Sequence, residues 1–109
     1  MAQSRLQSDP PSAFRLDGHV AIVTGAGRGI GRTCALTFAA AGADIACAAR
    51  TIDELQKLSD EVRALGRSAL AVRCDVSKEE DLQRVVAETL RELGKITILV
   101  NNAGGSGPN

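Results

Sequence analysis

Thr24-Gly25-Ala26-Gly27-Arg28-Gly29-Ile30-Gly31 stands between a short apolar run over residues 19–23 and a helical stretch that begins near Gly29. A strand that enters a helix through glycines brings bare backbone N–H groups and the positive end of the helix dipole together, the arrangement that receives a pyrophosphate. The spacing limits which nucleotide turn this is. The fingerprint G-x-G-x-x-G fails in both registers, because Gly25 and Gly27 are followed by Ile30, and Gly27 and Gly29 by Arg32. A P-loop is excluded, since no Lys-Ser or Lys-Thr pair follows the glycines. What remains is T-G-x-x-x-G-x-G. A methyltransferase-like G-x-G-x-G reading fits the glycines, although Val23 stands where such sites usually carry an acid. A glycine-rich turn without a ligand also stays open on this stretch alone.

A second motif changes the balance. Ile96-Thr97-Ile98-Leu99-Val100 reads as a short buried strand and runs into Asn101-Asn102-Ala103-Gly104. The two motifs at this separation resemble the short-chain dehydrogenase/reductase family, over nearly all of the chain from Leu16 onward. The resemblance implies a Rossmann-type fold, a nicotinamide dinucleotide, and hydride transfer between that cofactor and a secondary alcohol or ketone.

Composition is compatible with part of such an enzyme. The chain has 109 residues, enough for one domain at most and small for an α/β enzyme. Aromatics make up only 2%, so the core must come from Ala, Val, Ile and Leu, which suits a parallel sheet covered by helices. Lys plus Arg balances Asp plus Glu at 13 each, which argues against a nucleic-acid or anionic-membrane footprint. Residues 1–16 lack an apolar leader and no run approaches a membrane span, so a cytoplasmic location is expected. Cys34, Cys47 and Cys74 follow no metal or redox spacing and are read as small hydrophobes. His19 is read as the solvent-side start of the first strand.

Periodicity gives alternating strands and helices, the pattern of a doubly wound parallel sheet. Residues 1–15 are expected to be a flexible tail, and 16–109 a partial dinucleotide-binding domain. Strands are expected over 19–24, 44–49, 68–73 and 96–100, and the first helix over 29–41, ended by Gly42. Thr51-Ile52-Asp53-Glu54 and Ser77-Lys78-Glu79-Glu80 read as capping boxes. Each opens an amphipathic helix: Ile52, Leu55, Leu58, Val62 and Leu65 form the stripe before Gly66, and Leu82, Val85, Val86, Leu90 and Leu93 the stripe before Gly94. Right-handed crossovers then predict the strand order 3-2-1-4, with ligands at the carboxyl ends between strands 1 and 4, where both motifs lie.

By analogy with the Rossmann turn, Gly25 allows the tight turn, Gly29 admits the pyrophosphate and Gly31 lets the helix pack close to the sheet. The backbone at Arg28, Gly29 and Ile30 is expected nearest the phosphates. The family resemblance implies that Asp75 hydrogen-bonds the adenine, with the Val76 backbone beside it, although Asp75 also reads as a turn residue ahead of Ser77. It further implies that Asn102, with Ala103 and Gly104, braces the central sheet and lines the adenosine and ribose side.

Cofactor choice turns on Ala48-Ala49-Arg50-Thr51. An NAD site usually has a carboxylate at this strand end, and an NADP site has cations for the 2′-phosphate. Here Arg50 takes that place, and an Arg fork suits a phosphate. Arg28 matches the second basic position of NADP-preferring family members, so NADP(H) is favoured and NAD(H) remains possible. Both arginines could also be solvated surface charges.

The family's catalytic Ser, Asn and Tyr-x-x-x-Lys lie beyond the Asn-Asn-Ala-Gly turn, and this chain contains no Tyr. It is therefore expected to be the amino-terminal part of a longer enzyme, inactive by itself and without catalytic or metal residues of its own. The family implies a small-molecule alcohol or ketone substrate and a homodimer or tetramer at full length. A non-catalytic, redox-sensing or regulatory dinucleotide-binding module is the alternative.

Overall fold

The computed structural model describes residues 14–102. In chain order these form β1 (Val20–Thr24), α1 (Gly29–Ala40), β2 (Asp44–Ala49), α2 (Ile52–Ala64), β3 (Ala69–Arg73), α3 (Glu79–Leu93) and β4 (Ile98–Asn101). The strands form one parallel sheet in the order β3-β2-β1-β4, as the crossover argument predicts. Register brings Thr24 opposite both Ala48 and Asn101, and Ala49 opposite Arg73. All four carboxyl ends thus lie along one rim of the sheet.

Alternation along the strands divides the core into two layers. Ala21, Val23, Ile45 and Cys47 join Ala35 and Ala39 of α1 and Leu55, Leu58 and Val62 of α2 on one face. Ile22, Ala46, Ala48 and Val72 join Val85 of α3 on the other. β1 is buried at every position, which is why it reads as a continuous apolar run instead of an alternating one. Alanines on β2 and α1 keep the layers close, and Phe38 is the single aromatic ring packed against the core among the described residues.

The amphipathic stripes are only partly used. In α2, Leu55, Leu58 and Val62 are buried with Ser59, while Ile52 and Leu65 remain 38% and 48% exposed. α3 turns Val85 and Thr89 inward and leaves Leu82, Val86 and Leu90 37%, 44% and 48% exposed. Leu99 of β4 is 66% exposed and pairs in register with Ile22, on the α3 side of the sheet. A stripe read from periodicity is wider than the contact because α3 crosses over β2 and β3 and touches the sheet along one edge of its apolar face.

The two capping boxes do not form. Thr51 occupies the N-cap of α2 and makes no side-chain cap bond. The N-cap of α3 is Lys78, one residue later than expected, again without a side-chain bond. Ser77 instead gives its backbone N–H and its hydroxyl to Asp75 Oδ1, at 3.0 and 2.7 Å. Here Ser77 donates to a carboxylate two residues away, whereas a box would have its Oγ accept a helix N–H, and the local turn forms in place of the cap. Gly42, Gly66 and Gly94 follow the three helices as expected, each with positive φ.

The cysteines are free, with Cys47 and Cys74 in the core. Burial pushes the Cys47 thiol up to about 12, with the nearby Ser59 hydroxyl and then Arg63 opposing the rise. That hydroxyl is buried without a conventional hydrogen-bond partner. His19 is exposed as expected, with Nδ1 3.0 Å from Thr97 Oγ1. Chemical denaturation should find Ser59→Ala as stable as the parent or up to about 1 kcal/mol better, because an unsatisfied buried hydroxyl is removed. Its neighbour Leu58→Ala should lose about 2–5 kcal/mol.

Candidate functional site

The two sequence motifs meet at the carboxyl ends of β1 and β4. Thr24 Oγ1 accepts the Asn102 backbone N–H at 3.0 Å and lies 3.3 Å from Val100 O and 3.2 Å from Asn101 Oδ1, either of which can take its proton. Asn102 Nδ2 donates to Gly25 O at 3.3 Å. Gly31 closes the same knot from α1: a Cβ there would stand 2.2 Å from Gly25 O and 2.8 Å from Asn102 Nδ2. No side chain fits, so the first turn of α1 rests directly on the end of β1. This is the close packing that the glycine spacing implied, and it shows that both motifs belong to one rim.

The turn between them is open to an anion. Gly25 and Gly29 have φ of 61° and 64°, so the chain reverses through conformations that side-chain-bearing residues rarely take. Arg28 is the N-cap of α1 and makes no side-chain cap bond, and the first turn carries no acid. The helix therefore presents its leading amides without an internal acceptor and with no acid in its own first turn. Arg28, Gly29 and Ile30 are exposed, Ile30 to 73%. An open groove bordered by Ile30, Thr33, Cys34, Thr37 and Phe38 continues from this point down the flank of α1.

Arg50 follows β2 and is exposed. Its carbonyl accepts Arg73 Nε at 3.2 Å from the end of β3. Past β3, Asp75 is half-buried, with its carboxylate turned to Ser77 and its own N–H held by Asp81 Oδ2 at 2.9 Å. The Ser77 hydroxyl and backbone bonds hold the Asp75 carboxyl below the ordinary aspartate value, with smaller help from Lys78 and Arg50. The Asp81 carboxyl is likewise lowered, chiefly by the Asp75 N–H. Val76 is partly buried and packs against the α3-side core. Ala103 and Gly104 lie outside the described residues, as do residues 1–13 of the expected tail.

Three participants escaped the sequence reading. Glu54, taken for the acid of a capping box, lies against the glycine turn, where a Cβ on Gly27 would come within 2.5 Å of its Oε1. Asp81 steadies the Asp75 backbone from the first turn of α3. Arg73 bridges β3 to the residue after β2. Only the register of parallel strands could have signalled Arg73, since Ala49 and Arg73 are partners across the sheet. Among the described residues no group of His, Cys, Asp and Glu could hold a metal ion, and no helix is long and apolar enough to cross a membrane.

A parallel sheet in the order 3-2-1-4, with a glycine turn and an Asn-containing rim at its switch point, defines a truncated Rossmann-type fold. A family profile described as short chain dehydrogenase matches residues 19–109, and the chain belongs to that family. It is 48% identical over 95 residues to 7alpha-hydroxysteroid dehydrogenase of Escherichia coli (strain K12), covering 87% of this chain and 37% of that one. It is 45% identical over 92 residues to 2-dehydro-3-deoxy-D-gluconate 5-dehydrogenase of Pseudoalteromonas atlantica (strain T6c / ATCC BAA-1087), covering 84% and 36%. Among solved structures it is similar to 7 alpha-hydroxysteroid dehydrogenase complexed with NADH and 7-oxo glycochenodeoxycholic acid, with a TM-score of 0.85 and 46% identity over 90% of this chain and 38% of that one. The chain thus spans little more than a third of the length of these relatives.

Two measurements follow from this geometry. Asn102→Ala should lower stability by about 1–2 kcal/mol in chemical denaturation, because Gly25 O loses its donor at the crowded end of β1. Asp75 contributes fully above its unfolded value, and that contribution disappears as pH falls through the lower folded value. Asp75→Asn should therefore flatten the loss of stability below about pH 4, while Asp17 and Asp81 keep part of the slope. An unchanged acid limb would refute this role.

Proposed function

We propose that this chain is the cofactor-binding part of an NADP(H)-dependent oxidoreductase that interconverts a secondary alcohol and a ketone on a small molecule. The observation that carries the reading is the knot of Gly25, Gly31, Thr24 and Asn102 beneath an uncapped helix terminus, a cradle whose missing side chains and free amides fit a dinucleotide pyrophosphate. The nicotinamide, when bound, supplies or accepts the hydride. This chain's residues bind and orient: the amides at Arg28, Gly29 and Ile30 take the phosphates, and Gly25 and Gly31 permit their approach. Asp75 and the Val76 backbone receive the adenine, and Asn102 with Ala103 and Gly104 lines the adenosine and ribose side.

The preference for NADP(H) rests on Arg50 at the end of β2, where no carboxylate is present to take the ribose hydroxyls, and on Arg28 beside the turn. A relative with NADH bound keeps the nicotinamide class in view. The Ser, Asn and Tyr-x-x-x-Lys set of the family falls to the remainder of the protein, so this chain alone should bind cofactor weakly and turn nothing over. Relatives whose names specify dehydrogenation of a hydroxysteroid and of a keto sugar acid support an alcohol or ketone substrate. We also propose a cytoplasmic homodimer or tetramer for the full-length protein.

Titration of the full-length protein should give tighter binding of NADPH than NADH. Arg50→Ala should weaken NADPH by roughly tenfold, as expected for loss of a charge-assisted phosphate contact, and leave NADH little changed. Tighter NADH binding that is indifferent to Arg50→Ala would reject the NADP(H) assignment.

A further inference from the structure

Arg50 sits in a two-residue link between the end of β2 at Ala49 and the start of α2 at Ile52. Such a link would ordinarily be fixed by a side-chain cap on the helix it enters, but Thr51 makes none. The described bond that holds its Arg50 carbonyl comes instead from across the sheet, from Arg73 Nε at 3.2 Å. Arg73 is itself anchored. Its carbonyl accepts the Arg84 guanidinium from α3, and the next residue, Cys74, donates its N–H to Ala49 O at 2.8 Å. Arg84 is in turn paired with Asp81 at 3.2 Å and Glu88 at 3.6 Å. A continuous set of polar contacts therefore runs from α3 through β3 to the backbone of Arg50.

We propose that Arg73 is a specificity-determining positioning residue: by holding the Arg50 carbonyl it presets the Arg50 side chain toward the 2′-phosphate of the cofactor. This rests on the NADP(H) reading above. An exposed arginine loses rotamer freedom when it is ordered, and a planar fork binds a phosphate well only when its base is aimed. Fixing the peptide plane at Arg50 sets the direction in which its side chain leaves the backbone, so less of the backbone has to be ordered in the binding step, which is how preorganisation raises affinity without adding a contact. The Arg73 terminal amino groups have no partner among the described residues, so the bond through Nε is the one that matters for position.

The test is a double-mutant cycle in the full-length protein, with binding of NADPH, NADH, adenosine 2′,5′-bisphosphate and 5′-AMP measured by calorimetry. Arg73→Met should weaken NADPH and the bisphosphate by roughly three- to tenfold and leave NADH and 5′-AMP unchanged, since only the phosphate-bearing ligands use an aimed Arg50. In an Arg50→Ala background the same substitution should do nothing further. Arg73→Gln places an amide N–H near the position of Nε without the charge and should keep most of the NADPH preference. Equal weakening of all four ligands would reduce Arg73 to a structural residue and overturn the proposal. Loss of the preference in Arg73→Gln equal to that in Arg73→Met would show action through charge, and a full effect surviving Arg50→Ala would show direct phosphate contact; each overturns positioning. Should Arg50→Ala itself leave the NADPH to NADH ratio untouched, the cofactor reading fails and this proposal with it. If Arg50→Ala acts while Arg73→Met is silent, only the proposal fails.

Discussion

Everything at the rim of this sheet depends on how closely α1 can approach the end of β1. With Gly31 lacking a side chain, the helix comes down onto Gly25 O, and the Asn102 amide reaches the same carbonyl from β4. Thr24 ties the two strands at the level of their last residues. Any Cβ at residue 31 would lift the helix, move its leading amides and break the link to β4 together. Local backbone chemistry and long-range strand pairing are thus fixed by one contact.

That contact explains why an uncapped helix terminus and a sheet-bracing asparagine occur at the same place. The N-cap of that helix is Arg28, whose side chain offers no acceptor, so the N–H groups of the first turn stay available. Sequence-distant β4 then supplies the wall. At the other end of the rim, Arg50, Arg73, Asp75 and Ser77 are organised by side-chain-to-backbone bonds across β2, β3 and α3. The glycine-turn end of the rim is held by packing and the Asp75 end by polar contacts in partly open surroundings. The first should be rigid and the second adjustable, because exposed polar bonds contribute little individually.

The core follows the same economy of size. Alanine and valine on β1, β2 and α1 allow two helical layers to close on strands that are buried from both sides. The apolar residues left open on α3 and β4 share one side of the sheet, so that face is the least finished part of the described structure.

The strand and helix succession, the parallel order and the glycine turn were legible in the sequence, because each follows from short-range periodicity and from stereochemistry that only glycine satisfies. The contact of Asn102 with Gly25 could be anticipated in place, though not in its hydrogen bonds. What the tertiary structure alone decided were choices between competing local options. Ser77 bonds Asp75 and caps nothing, Glu54 lies on Gly27, and the α3 stripe is buried along one edge only. The pairing of Arg73 with the Arg50 backbone belongs to the same group. A linear pattern records which side chains are able to bond or pack; which partner prevails depends on distances set by the crossing of helices over the sheet, and these exist only once the chain has folded.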